Sequence, residues 1–339
     1  MKIAVDGMGG DNAPLEIVKG VVEASALTEH QIILVGDESL INSELEKYKY
    51  NKEKISVMHA SEVITNEDAP VKAVRTKLDS SLVKGINLVK SGEADLFVSA
   101  GNTGAIMAAG LFILGRIQGI DRPAIASTYP IMGGKGGISL LVDSGANAEC
   151  KPNNLLEFAT MGSIYMEKVL NIKKPTVGLV NIGTEETKGT TVLKAAYELL
   201  SKSSLNFVGN VEAREIPKGA SDVLVCDGFV GNIILKLTEG LAWNILKLIK
   251  SKFTEGVVPK MGALLLAGKL KEMKAQFDYS EYGGAPILGV KGALVKMHGS
   301  SNANAVKNTI LKGIPYAETN VVQTIQNSVL ELEEIIISE

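Results

Sequence analysis

KIAVDGMGGDNAP, residues 2–14, is the stretch from which the fold can be read. Its aliphatic opening, Lys2 to Val5, predicts a short buried strand. Pro14 stands where the first turn of a helix tolerates a residue without an N–H, so the segment reads as strand, turn and helix start. The turn carries three glycines, two aspartates and an asparagine, although one residue with freedom of backbone angle would serve. The surplus implies that something lies close against this backbone. A helix start, with free N–H groups and the positive end of its dipole, suits an anion there.

The same grammar returns along the chain. Apolar runs end in small polar turns at FVSAGNTGA (97–105), LLVDSGANAECKP (140–152), GLVNIGTEETKG (178–189) and LVCDGFVGN (224–232). Strands are expected near Lys2–Val5, Gln31–Val35, Ile55–Met58, Asp95–Ser99, Thr176–Asn181 and Asp222–Cys226, with apolar residues at helical spacing between them. That alternation predicts an α/β fold with a mainly parallel sheet, in which ligands bind where the loops at the carboxyl ends of the strands converge. From Ala124 to Val142 two strand-like runs flank IMGGKGG, which predicts a hairpin arm over 124–143. No linker or repeat divides the chain, so 1–339 is read as one unit.

Composition narrows the function classes. Hydrophobic residues make up 45% and aromatics 5%, the balance of an aliphatic-cored enzyme. A net charge of −3 gives no general attraction to nucleic acid or anionic lipid. Cys150 and Cys226 have no pairing or CxxC spacing, and no leader or span of about 20 apolar residues occurs, so a cytoplasmic location is expected. The glycine turns fit neither GxGxxG nor the Walker pattern, and His30, His59 and His298 are scattered, so neither cofactor nor metal is expected.

Taken together, DGMGGDNAP, SAGNTGA, VDSGANAECKP, NIGTEETKG, DGFVGNIILKLTEG and YGGAPILGVKG followed by HGSS resemble the bacterial phosphate acyltransferases that act on acyl carrier protein, the PlsX family. The resemblance implies a homodimeric three-layer α/β/α enzyme, similar in fold to the isocitrate and isopropylmalate dehydrogenases and to phosphotransacetylase. It also implies the reaction: a long-chain acyl group passes from acyl carrier protein to inorganic phosphate, and the acyl phosphate feeds phospholipid synthesis.

The turn residues suit such chemistry. Phosphate is already largely a dianion near neutral pH, so the site has only to hold it against a carbonyl and stabilise the oxyanion that develops. Lys188 is expected as the fixed positive charge, Asn232 as a donor to phosphate or oxyanion, and His298 as a proton donor to the leaving thiolate. Gly9, Gly10, Asn12, Asn102, Thr103, Gly104, Asp227 and Gly231 are expected to bind phosphate or substrate. Helix capping is the competing reading for Asn232, Asn102 and Thr103, a solvated loop lysine for Lys188, and a structural histidine for His298.

One charge concentration stands apart. Lys247 to Lys274 holds seven lysines and two glutamates beside VVPKMGALLLAGKL. A basic amphipathic helical element is expected over 247–277, with the acidic carrier protein, an anionic membrane surface reached through 253–274, or the other subunit as its partner.

Overall fold

The computed structural model describes residues 1–132, 137–277 and 282–338. Its strands are β1 (Lys2–Asp6), β2 (Gln31–Gly36), β3 (Ile55–His59), β4 (Leu96–Ser99), β5 (Ala124–Pro130), β6 (Ile138–Val142), β7 (Thr176–Asn181), β8 (Asn206–Glu212), β9 (Val223–Val225), β10 (Ala285–Leu288) and β11 (Ala293–Lys296). The helices are α1 (Leu15–Ser25), α2 (Glu38–Leu45), α3 (Pro70–Thr76), α4 (Ser81–Ser91), α5 (Thr103–Ala109), α6 (Pro152–Lys168), α7 (Thr191–Lys202), α8 (Gly228–Thr254), α9 (Val257–Leu265), α10 (Ala267–Phe277), α11 (Ala303–Glu318) and α12 (Val321–Ser338).

Side-chain alternation along the strands creates two cores. Ile3 and Val5 of β1, with Leu96 and Val98 of β4, pack under α1, α6 and α11. The residues between them, Ala4 and Phe97, pack on the opposite face with Leu82 and Ile86 of α4 and Ile106 of α5. Both faces of the sheet are therefore covered by helices, which gives the three layers and explains why these strands read as continuous apolar runs. A third cluster sets Val230, Ile234 and Leu235 of α8 against Tyr129, Leu141, Val180 and Leu224.

The strands join in one sheet of order β3-β2-β1-β4-β11-β10-β5-β6-β9-β7-β8. β1, β2, β3, β4 and β11 are mutually parallel, as are β6, β9, β7 and β8. β10 is antiparallel to both β11 and β5, and β5 is antiparallel to β6. The two halves of the sheet therefore run in opposite senses, and their carboxyl ends do not share one edge as a simple open parallel sheet would require.

The expected hairpin exists in a different place. β5 and β6 pair from Ala126–Val142 to Pro130–Ile138, in the middle of the sheet rather than as a projecting arm; residues 133–136 at the tip lie outside the described residues. Ala124, Ala126, Leu140, Leu141 and Val142 are fully buried, a content too apolar for an element standing in water. The basic segment is divided between the end of α8 and the two helices α9 and α10, with the break at Gly256, whose φ is +93°.

Candidate functional site

Three of the glycine-bearing turns interlock at the ends of β1, β4 and β11. Asp11 N donates to Gly299 O at 2.8 Å, and Asn12 Nδ2 donates to Ser300 O and Ser301 O at 3.2 and 3.3 Å. Asp6 is buried and accepts from Ser99 Oγ at 2.7 Å and Met8 N at 3.2 Å. Burial pushes its carboxyl up, against the pull of hydrogen bonds from Ser81, Ser99 and Met8. Gly10 has φ +99°, and a Cβ on it would stand 2.9 Å from Gly299 O. The object pressed against residues 6–14 is thus the neighbouring turn, and Gly9 meets Gly101 in the same way.

A second group forms where β6 and β9 end. Asp143 is buried and accepts from the N–H groups of Ile125, Gly145, Ala146 and Asn147 at 2.7–3.1 Å, and from Asn147 Nδ2 at 2.9 Å. Its carboxylate organises the turn from inside. Asp227 caps α8 by accepting from Val230 N at 2.8 Å, and a Cβ on Gly231 would stand 1.9 Å from Asp143 O, so only glycine lets α8 approach the turn.

Between the two groups lies a cavity of about 380 Å³. Thr103, Asn232, Lys236, Lys296 and His298 give part of it a polar, cationic wall, while Ile125, Tyr129, Pro130, Leu235, Ala242 and Met297 give the rest an apolar one. Tyr129 Oη and Thr238 Oγ1, 3.0 Å apart, tie β5 to α8 across it, and Ser127 Oγ meets Ser144 Oγ at 2.6 Å. His298 Nδ1 lies 2.8 Å from Ser300 Oγ. Burial lowers the His298 pKa below its usual value, and the Lys296 charge adds to the effect, which favours the neutral imidazole.

Of the residues expected from sequence, Thr103, Asn232 and His298 line the cavity. Gly9, Gly10, Asn12, Asp227 and Gly231 shape the turns behind it. Asn102 caps α5 through Ala105 N at 3.0 Å and donates to Thr65 O at 3.1 Å, and Gly104 packs on Pro70. Lys188 is not on the lining. It sits in the turn after β7, two strands beyond β6, with Nζ 3.9 Å from Glu185 Oε1 and its side chain 47% exposed.

Lys236, Glu239, Lys296 and Tyr129 escaped the sequence reading, yet all four line the cavity. Asn232, Lys236 and Glu239 follow each other at helical spacing, a signal already present in DGFVGNIILKLTEG. Among the described residues, no group of three or more His, Cys, Asp or Glu could hold a metal ion.

The model of the family described as fatty acid synthesis protein matches residues 1–324. The chain is 57% identical over 332 residues to the phosphate acyltransferase of Alkaliphilus oremlandii, covering 98% of each. It is 49% identical over 334 residues to that of Clostridioides difficile, again covering 98% of each. Among solved structures, a phosphotransacetylase from Streptococcus pyogenes has a similar fold, with a TM-score of 0.63 at 18% identity over 94% of each chain. A 4-hydroxythreonine-4-phosphate dehydrogenase from Klebsiella pneumoniae matches with a TM-score of 0.54 at 10% identity, covering 94% of this chain and 98% of that one.

Proposed function

The chain belongs to the fatty acid synthesis protein family, PlsX, as a phosphate acyltransferase, and from that premise we propose that it moves a long-chain acyl group from acyl carrier protein to inorganic phosphate. The observation that carries this reading is the mixed lining of the cavity, which brings Lys236, Lys296, Glu239 and Asn232 together with the apolar Ile125, Leu235, Ala242 and Met297. An anion and an alkyl chain can be held there with the thioester between them.

A phosphate oxygen attacks the thioester carbonyl, the tetrahedral oxyanion collapses, and the C–S bond breaks to leave acyl phosphate and the carrier thiolate. The thiolate then takes a proton from water. No strong base is required, because inorganic phosphate loses its second proton near neutral pH, only slightly above the roughly 6 of a phosphate monoester, so a large share is already dianion. A simple thiol, with a pKa of roughly 8.5, leaves readily enough that a general acid is optional. With its pKa lowered, His298 fits that economy as a hydrogen-bonding group rather than a proton donor. Asn232 supplies the donor to the developing oxyanion.

The enzyme works as a homodimer in this reading. Phe229, Ile233, Leu237, Leu241 and Ile245 recur every fourth residue along α8 and are 49–62% exposed, an apolar stripe that a second copy would cover. Lys188, off its own cavity, then acts across the dimer. The lysine-rich α9–α10 region offers an exposed apolar ridge to the membrane surface where the product is used. Among the described residues no helix is long and apolar enough to cross a membrane, so contact there would be peripheral.

The test incubates the purified chain with palmitoyl acyl carrier protein, with and without phosphate, and follows free thiol and acyl phosphate. Phosphate-dependent release of both supports the reading. Turnover of acyl-CoA alone would make the enzyme phosphotransacetylase-like, and vesicle binding with no thiol release would make it a scaffold.

A further inference from the structure

Lys236 and Lys296 come from distant parts of the chain, one from α8 and one from the last residue of β11, and both line the same cavity. Lys296 is half-buried, with Nζ donating to Met297 O at 2.8 Å. An ammonium has three protons to donate, so that carbonyl leaves it with capacity to spare. Among the described residues, neither lysine has a carboxylate within 4.0 Å. Glu239, on the same face of α8, is the carboxylate in the lining, one negative charge against two positive ones.

Two like charges brought to one cavity repel each other, and the half-buried Lys296 also loses hydration, a costly arrangement unless a counter-charge arrives. The Lys296 ammonium registers this: burial lowers its pKa, the charge of Lys236 lowers it further, and Glu239 opposes both. We propose that Lys236 and Lys296 form a two-lysine clamp that binds the phosphate dianion, with Asn232 beside it, one turn of α8 before Lys236. This rests on the acyl transfer proposed above and assigns its nucleophile a position. A dianion can offer a negatively charged oxygen to each ammonium group, whereas the phosphodiester of a pantetheine arm, the other phosphate group this reaction could bring, carries a single charge.

The clamp is tested by calorimetric titration of inorganic phosphate into the full chain and its Lys236→Gln and Lys296→Met variants, with KM measured separately for phosphate and for acyl carrier protein. Losing a charged hydrogen-bond partner should weaken phosphate binding and raise its KM between about tenfold and a hundredfold, leaving the KM for the acyl donor nearly unchanged. Lys236→Arg, which keeps the charge, should recover most of the loss. Wild-type phosphate binding or an unaltered phosphate KM in the variants would overturn the clamp, as would a rise confined to the acyl-donor KM, which would place the pantetheine phosphodiester there. Lys236 is exposed on α8, so its variant decides the matter if Lys296→Met does not fold. Lysine-dependent phosphate binding without any acyl transfer would leave the clamp standing and remove the proposed reaction instead.

Discussion

Glu157 of α6 accepts from the N–H groups of Asp121 and Arg122 at 3.0 and 3.4 Å, just before β5 begins. Burial pushes its carboxyl from the ordinary 4.5 up to about 7, with the hydrogen bonds opposing. Between those two values the folded chain holds a proton that the unfolded chain has lost. This contribution to stability is therefore fully present below pH 4.5 and is lost as pH rises through about 7. Glu157→Gln keeps an oxygen for the two N–H groups and removes the buried charge. The variant should melt above wild type at pH 8 and close to it at pH 5; an equal difference at both values would show that this carboxyl does not set the dependence. The burial of Glu157 could not be read from the sequence, where NNLLEFATM is only an amphipathic helix. Lys296 is a similar case, because the side that a strand residue faces depends on the register of β11 with β4 and β10.

α8 shows how far helical spacing reaches. One face of it carries Asn232, Lys236 and Glu239, and the adjoining face carries the exposed stripe from Phe229 to Ile245, all legible in the 3.6-residue period once the helix is known. The period did not tell the two faces' partners apart, since apolar residues surround the helix and only the neighbouring strands decide which are covered. In α9 the outcome is plainer. Val258, Met261, Leu264 and Leu265 are 64–87% exposed, with Lys260 on the same short helix. Apolar side chains beside positive charge favour an anionic lipid surface. Leu264→Glu with Leu265→Glu should abolish flotation with phosphatidylglycerol vesicles and leave the melting temperature within about 1 °C, because side chains this exposed contribute little to folding. Flotation equal to wild type would remove the membrane from the proposal.

Across the whole molecule, the sequence pattern foresaw a mainly parallel sheet, and four of the five glycine-bearing turns flank the cavity or pack behind it. It could not foresee that the β5–β6 hairpin and β10 reverse the sense of half the sheet, because strand order is a property of non-local pairing. The fifth turn, carrying Lys188, is left outside because β7 stands two strands beyond β6 in the sheet. It follows β7, beside the end of β9 from which α8 starts, and its Ile182 is 80% exposed while Phe229 at the start of α8 is 62% exposed. In the proposed homodimer, a second copy covering Ile233 and Leu237 would stand next to Asn232 and Lys236 of the cavity lining. A two-fold interface there would bring each copy's Lys188 turn toward the other's site. Lys188→Ala and Asn232→Ala should then each inactivate the homodimer, while a refolded equal mixture recovers about a quarter of wild-type turnover. Half of the mixed dimers are heterodimers, and one of the two sites in each has both residues. Full activity in Lys188→Ala would take this lysine out of the mechanism, and a mixture no more active than its parents would confine each site to a single chain.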